Sequence, residues 1–200
     1  MQIYPIDSME LKGRLIVEDF STAGTYADIE AERYTALPTS GRVQVQDLVY
    51  QDAYLTTPVT VKSGIADFTP DRLNISGASG QLGRSDYAVD GYFTNYIAYA
   101  LLENEPLGGQ MSLRSQRFDV NEWMEEEEEA SSSGEAEVAY EVIPVPDNLN
   151  VAVDADLKEV LYEDMILSDM QGRMRVADQA VQMEDVEFGM LGGTVAMSGE

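Results

Sequence analysis

The chain has 200 residues, 44% of them hydrophobic, no cysteine, no histidine and a formal charge of −25. That is enough apolar material for a folded core, and it excludes disulfides, thiolate metal sites, His-based triads and most zinc centres. Only three of its twelve basic residues are lysines, Lys12, Lys62 and Lys158, and the basic residues do not cluster, which argues against nucleic acid and against an anionic bilayer surface as partners.

Residues 9–20 read as a strand, with Leu11, Leu15 and Val17 in alternating register and Gly13 as a bulge or close-approach point. Residues 21–26 form a loop, and 28–34 fit either a short helix or a polar strand. After the turn Leu37-Pro38-Thr39-Ser40-Gly41, the run Arg42-Val43-Gln44-Val45-Gln46 puts both valines on one face. Val59-Thr60-Val61 and residues 65–68 continue in this style on either side of a Ser63-Gly64 break. Thr69-Pro70-Asp71 then turns the chain into Leu73-Asn74-Ile75-Ser76-Gly77. Close, regular spacing of short strands indicates an antiparallel meander. The glycines of 77–84 invite a phosphate-loop reading, but the segment lacks a Lys-Ser/Thr ending and joins two strands.

A short helix is expected near 94–103, with Thr94 or Asn95 able to cap it and Ile97, Leu101 and Leu102 at helical spacing. Phe93, Tyr96 and Tyr99 read as its packing against the sheet rather than as a ligand cavity. Residues 111–115 return to strand pattern, and 119–123 form a turn that docks Trp123. The acidic run 125–129 and the Ser/Gly stretch behind it read as a solvated linker; the spacing of ligands for a calcium loop is missing. From Leu149 to Leu157 alternation is clearest, with Leu149, Val151, Val153, Ala155 and Leu157 on one side.

The region 49–91 appears a second time. Leu161-Tyr162-Glu163-Asp164 matches Val49-Tyr50-Gln51-Asp52, Val181-Gln182-Met183 matches Leu73-Asn74-Ile75, and Gly189-Met190-Leu191-Gly192 matches Gly80-Gln81-Leu82-Gly83. Val195-Ala196-Met197-Ser198-Gly199 then matches Tyr87-Ala88-Val89-Asp90-Gly91. Leu55 and Leu167 lie 112 residues apart and Leu82 and Leu191 109 apart, a drift attributable to loop insertions. The expected organisation is a first repeat region at 1–122, a linker at 123–138 and a second repeat region at 139–200, together an excerpt of a longer protein.

Tyr34-Thr35-Ala36-Leu37-Pro38-Thr39-Ser40-Gly41, Phe68-Thr69-Pro70, Leu73-Asn74-Ile75-Ser76, Gly80-Gln81-Leu82-Gly83-Arg84-Ser85-Asp86, Asn95-Tyr96-Ile97, Phe118-Asp119-Val120-Asn121-Glu122-Trp123-Met124, Val145-Pro146-Asp147-Asn148-Leu149 and residues 191–199 follow one another in an order and spacing that resembles the AsmA family of Bacteroidota-type bacteria. The resemblance implies a mainly β fold: an elongated antiparallel sheet curled into an open groove. It further implies an inner-membrane anchor outside this segment, a periplasmic location, and a part in moving phospholipid towards the outer membrane. It brings no catalytic motif, cofactor or metal. The residues expected to line the groove are Val43, Val45, Val59, Val61, Leu73, Ile75, Val89, Leu149, Val151, Val153, Leu157, Leu167, Val195 and Met197. The expected partners are phospholipid acyl chains and other cell-envelope proteins. Periodicity alone favours the same side chains packing on one another in a closed sandwich or solenoid. The other functions open to the chain are a non-catalytic spacer or assembly module and, more remotely, a hydrolase built on a carboxylate pair.

Overall fold

A computed structural model describes residues 10–25, 27, 38–51, 57–102, 104–122 and 148–199. The expected helix or strand at 28–34, Leu55, Trp123 and the acidic run lie outside them. The described residues form one open sheet of eleven strands and a short helix. The strands are β1 (Glu10–Ser21), β2 (Ser40–Gln51), β3 (Val59–Phe68), β4 (Arg72–Leu82), β5 (Ser85–Thr94), β6 (Leu107–Ser115), β7 (Phe118–Asp119), β8 (Leu149–Tyr162), β9 (Met165–Ala177), β10 (Ala180–Met190) and β11 (Gly193–Gly199), with helix α1 at Tyr96–Leu101. Spatial order follows chain order, β7 pairing beside the main path on β8.

The turns account for the meander. Thr69 closes the β3–β4 turn, its hydroxyl accepting from the Arg72 N–H at 3.0 Å while Pro70 fixes φ inside it. Asp178 and Gln179 both take positive φ (54° and 62°), as do Leu191 and Gly192 (51° and 80°), the backbone that lets a two-residue turn match the twist of its flanking strands.

Two expected breaks are absent. Ser63-Gly64 does not divide β3, because Gly64 is the point of close approach to β4: a Cβ there would lie 3.3 Å from Ala78. Gly77 and Gly80 likewise lie within β4, leaving Gly83-Arg84 as the turn. Gly77, at φ 57°, is a bulge. Helix α1 is not capped by a side chain: Asn95 has φ 58°, and its amide instead donates to Glu105 and to the Pro106 carbonyl.

The sheet departs from antiparallel pairing at one place. β6 and β8 run parallel in unbroken register from Leu107↔Leu149 to Ser115↔Leu157, and β7 continues β6 along the same neighbour, Phe118↔Val160. Parallel neighbours need a connection that returns along the whole strand. The strands of the two expected repeat regions share one sheet.

The repeat is more regular than the residue identities suggest. Residues of β3, β4 and β5 correspond to residues of β9, β10 and β11 at a constant offset of 108: Ala66↔Ile75 matches Met174↔Met183, and Ile75↔Gly91 matches Met183↔Gly199. Even the irregularities correspond, the displaced pair Ser63↔Ser79 matching Gln171↔Glu187. For β2 and β8 the offset is 110, with Val43↔Ala66 matching Val153↔Met174, so the loop before the third strand absorbs the two-residue drift. Leu82 therefore corresponds to Met190 rather than Leu191, and Leu167 to Val59. Matching glycine to glycine misplaces the turn by one residue, because its glycine comes first in Gly83-Arg84 and second in Leu191-Gly192.

No two-layer core appears among the described residues. Only Ala98, Leu157, Val160 and Ala177 are buried apolar residues, and most strand residues are half-buried. Strands pack on their ladder neighbours, α1 touches β6, and the sheet does not close on itself.

Candidate apolar binding face

Residues paired across a ladder point to the same side of a sheet, so the registers define the faces. One row crosses all ten strands of the main path: Val17, Val43, Ala66, Ile75, Gly91, Met111, Val153, Met174, Met183 and Gly199. None of these side chains is polar. A second row holds Leu15, Val45 and Gly64, then Ala78, Val89, Leu113, Ala155 and Gly172, then Val186 and Met197. Its two gaps are bridged where Gly64 meets Ala78 and where a Cβ on Gly172 would come 2.8 Å from Val186. A third runs through Phe68, Leu73, Phe93, Gly109, Val151, Val176 and Val181.

Bulges keep these rows on one side. Ile75 and Ala78 would fall on opposite faces by strict alternation, as would Met183 and Val186. The left-handed residues Gly77 and Asp185 (φ 57° and 50°) each take up one extra position, after which apolar residues return to the same face. Aspartate tolerates this backbone because its short polar side chain suits the left-handed region.

All fourteen residues expected to line a groove lie on this face. Val43, Ile75 and Val153 share the first row, Val45, Val89 and Met197 the second, Leu73 and Val151 the third. Val61 pairs with Gly80, two residues beyond Ala78, and Val59 pairs with Leu82. Leu157 stands opposite Met170 and Leu167 opposite Val160, Val195 opposite Phe188 and Leu149 opposite Leu107. The expectation omitted Met111, Met170, Met174, Met183, Val186 and Phe188. Strict alternation loses several of them at the bulges, although the 108-residue offset would have recovered Met174 and Met183 from Ala66 and Ile75.

The face is most exposed towards its two sheet edges: Val17 is 60% and Leu15 52% exposed on β1, and Met197 41% on β11. At one end Tyr96 of α1 stacks edge-on against Phe68 (5.9 Å between centroids), which meets Phe20 at 5.5 Å. The Tyr96 hydroxyl donates to the Thr69 carbonyl at 2.8 Å, so this aromatic docks the helix on the sheet.

The opposite face is a ladder of ion pairs. Arg42 forks onto Asp67 (2.6 and 3.2 Å), Arg114 pairs with Asp90, and Arg173 reaches Asp154 at 2.7 Å. The bonds from Arg173 and Gln110 hold the Asp154 carboxyl below its ordinary value, and the partner carboxylates hold Arg42 and Arg173 above theirs.

A polar knot closes the end of the sheet at the β4–β5 and β8–β9 turns. Arg84 pairs with buried Asp119 at 2.9 Å, and the Arg84 N–H donates to both carboxylate oxygens of Glu122 at 2.8 Å. Asn121 brackets Glu163, accepting from its N–H at 2.6 Å and donating to its carbonyl at 3.2 Å. Burial pushes the Asp86 carboxyl up, but the N–H groups of Gln116 and Arg117 and the Ser115 hydroxyl donate to it and hold it below its ordinary value. These carboxylates are engaged in fastening β7 and the start of the crossover to the strands beside them. Among the described residues no cluster of acidic side chains has metal-binding geometry, and no helix is long and apolar enough to cross a membrane.

The chain matches no protein-family model, curated protein or solved structure.

Proposed function

We propose that the apolar face carries phospholipid acyl chains in the cell envelope, without catalysis, as part of a periplasm-facing protein of the AsmA type that moves lipid between inner and outer membrane. The supporting observation is the unbroken apolar row from Val17 to Met183 across an open sheet. A closed protein buries such a row under a second layer, whereas here most of it is half-buried. Acyl chains complete the burial: each CH2 removed from water contributes about 0.8 kcal/mol, and a flat, non-directional face places no demand on where along it a chain lies. The polar face and its ion pairs keep the other side of the sheet in water.

The test is photo-crosslinking in the full-length protein in its native envelope. A photoreactive residue at Val153 or Val43 should capture phospholipid, and one at Gln110 on the polar face should not. Absence of lipid adducts from both apolar positions in a functional protein rules this reading out.

A second reading, a spacer or assembly module for envelope proteins, draws on the sheet edges. Among the described residues β1 and β11 each have one ladder neighbour, so each offers backbone groups to an added strand. It predicts sensitivity to substitutions along those edges rather than across the apolar rows.

A further inference from the structure

We propose that β11 of one copy of this chain pairs with β1 of a second copy, in parallel and with Met197 opposite Leu15, so that copies join head to tail into one continuous sheet. The template for this junction lies inside the chain. β5 is followed across the sheet by β6 and then β8, and by the repeat offsets β5 corresponds to β11 and β8 to β2. β1 stands beside β2 as β6 stands beside β8: Leu15 pairs with Val45 and Val17 with Val43, as Leu113 pairs with Ala155 and Met111 with Val153. Arg14 takes the place of Arg114 in the same way. β6 in turn meets β5 at Val89↔Leu113 and Gly91↔Met111, and the counterparts of Val89 and Gly91 are Met197 and Gly199. Carried to a second copy, the junction sets Met197 opposite Leu15 and Gly199 opposite Val17. β6 is antiparallel to β5 and parallel to β8, whereas β1 is antiparallel to β2, so β11 and the incoming β1 run the same way.

Exposure marks the two edges as the uncovered halves of this junction. Val89, Gly91, Met111 and Leu113 are half-buried where β5 meets β6, but Met197, Gly199, Val17 and Leu15 are exposed, Val17 at 60%. β11 is also unguarded. Edge strands are ordinarily blunted by charge, proline or a bulge; Gly193–Gly199 contains no charged residue and no proline, and the bulge beside it lies on β10, at Asp185. Arg14 of the second copy falls opposite Ala196, so no like charges meet. Both apolar rows continue across the junction, Gly199 to Val17 and Met197 to Leu15. Such a contact is heterologous, generating a ring or an open filament of copies, and it forms whether the face carries lipid or serves as a spacer.

Cysteine crosslinking tests the register, since the chain has no cysteine of its own. Within one copy Met197 and Leu15 lie on strands at opposite edges of the open sheet, so a disulfide between them joins two copies. Full-length Met197→Cys and Leu15→Cys chains, one isotopically labelled, are mixed and oxidised at about 500 mM salt, which screens the repulsion between two chains of charge −25. Mixed dimers should form in about ten times the yield given by Ala196→Cys with Leu15→Cys, whose side chains leave opposite faces of the sheet and cannot reach disulfide geometry. All three positions are exposed, so each variant should keep the circular dichroism of the parent chain. Equal yield from the two mixtures overturns the register. Dimers of Met197→Cys alone or Leu15→Cys alone in the same yield as mixed dimers overturn the head-to-tail arrangement. Absence of mixed dimers leaves β11 to another strand or to none, and overturns the proposal.

Discussion

A carboxylate placed in the middle of the apolar face separates an open surface from a closed core. Val153 is half-buried and pairs with Met111 on one side and Met174 on the other. In Val153→Asp, half of a valine's burial is worth about 1 kcal/mol, and two cross-strand pairs add about 0.2 to 1 kcal/mol each. The new charge stays hydrated on an uncovered face. The expected loss is therefore about 1.5 to 3 kcal/mol, read as a fall in the urea midpoint with an unchanged slope. Leu157→Asp supplies the contrast. Leu157 is 6% exposed, so its substitution forfeits a full leucine and buries an unpaired carboxylate, which costs roughly 4 kcal/mol or more. The reasoning fails if the two variants are equally damaged, because Val153 would then lie under a second layer. On the lipid reading proposed above, Val153→Asp should remain folded and lose lipid crosslinking from Val43.

Three further outcomes follow from particular contacts. Gly80→Ala should cost about 2 kcal/mol or more in thermal or urea unfolding, since its Cβ would fall 1.8 Å from the Thr60 carbonyl oxygen and β3 would have to move. Gly193→Ala, where the nearest atom is 3.7 Å away, should change stability little. Arg84→Ala leaves buried Asp119 without its cation and should cost about 2 kcal/mol, with Asp119→Asn in the same chain recovering much of the loss. Acid titration followed by circular dichroism should show a pH-dependent loss of stability. Asp86 and Asp154 have folded pKa values below the ordinary one, so their stabilisation is present above the unfolded value of about 3.9 and lost as pH falls through the folded values. Asp86→Asn should flatten that acid limb; an unchanged profile would refute the role given to its three donors.

Much of this fold was legible in the chain. Alternation in 42–46 and 149–157 identified β2 and β8 and the face they share, and the recurrence of Leu73-Asn74-Ile75 as Val181-Gln182-Met183 identified the repeated meander. The expected antiparallel, open, mainly β sheet with one short helix is what the described residues form. Illegible were features set by what lies across a ladder. Gly64 and Gly80 read as punctuation because a glycine that ends a strand and a glycine that admits a neighbouring strand look alike in one dimension. The bulges at Gly77 and Asp185 break alternation, so a strict period of two loses the apolar residues beyond them.

The sequence alone determined which side chains are apolar, their local period, and hence that a two-sided sheet would form, because these are properties of adjacent residues. Tertiary structure decided the rest: that β6 and β8 pair in parallel and join both meanders into one sheet, that the rows align across ten strands, and that the described residues provide no second layer to close over them. Register and the openness of the sheet depend on pairings between residues up to 42 positions apart, as where Gln110 stands opposite Ala152, and no local pattern encodes them.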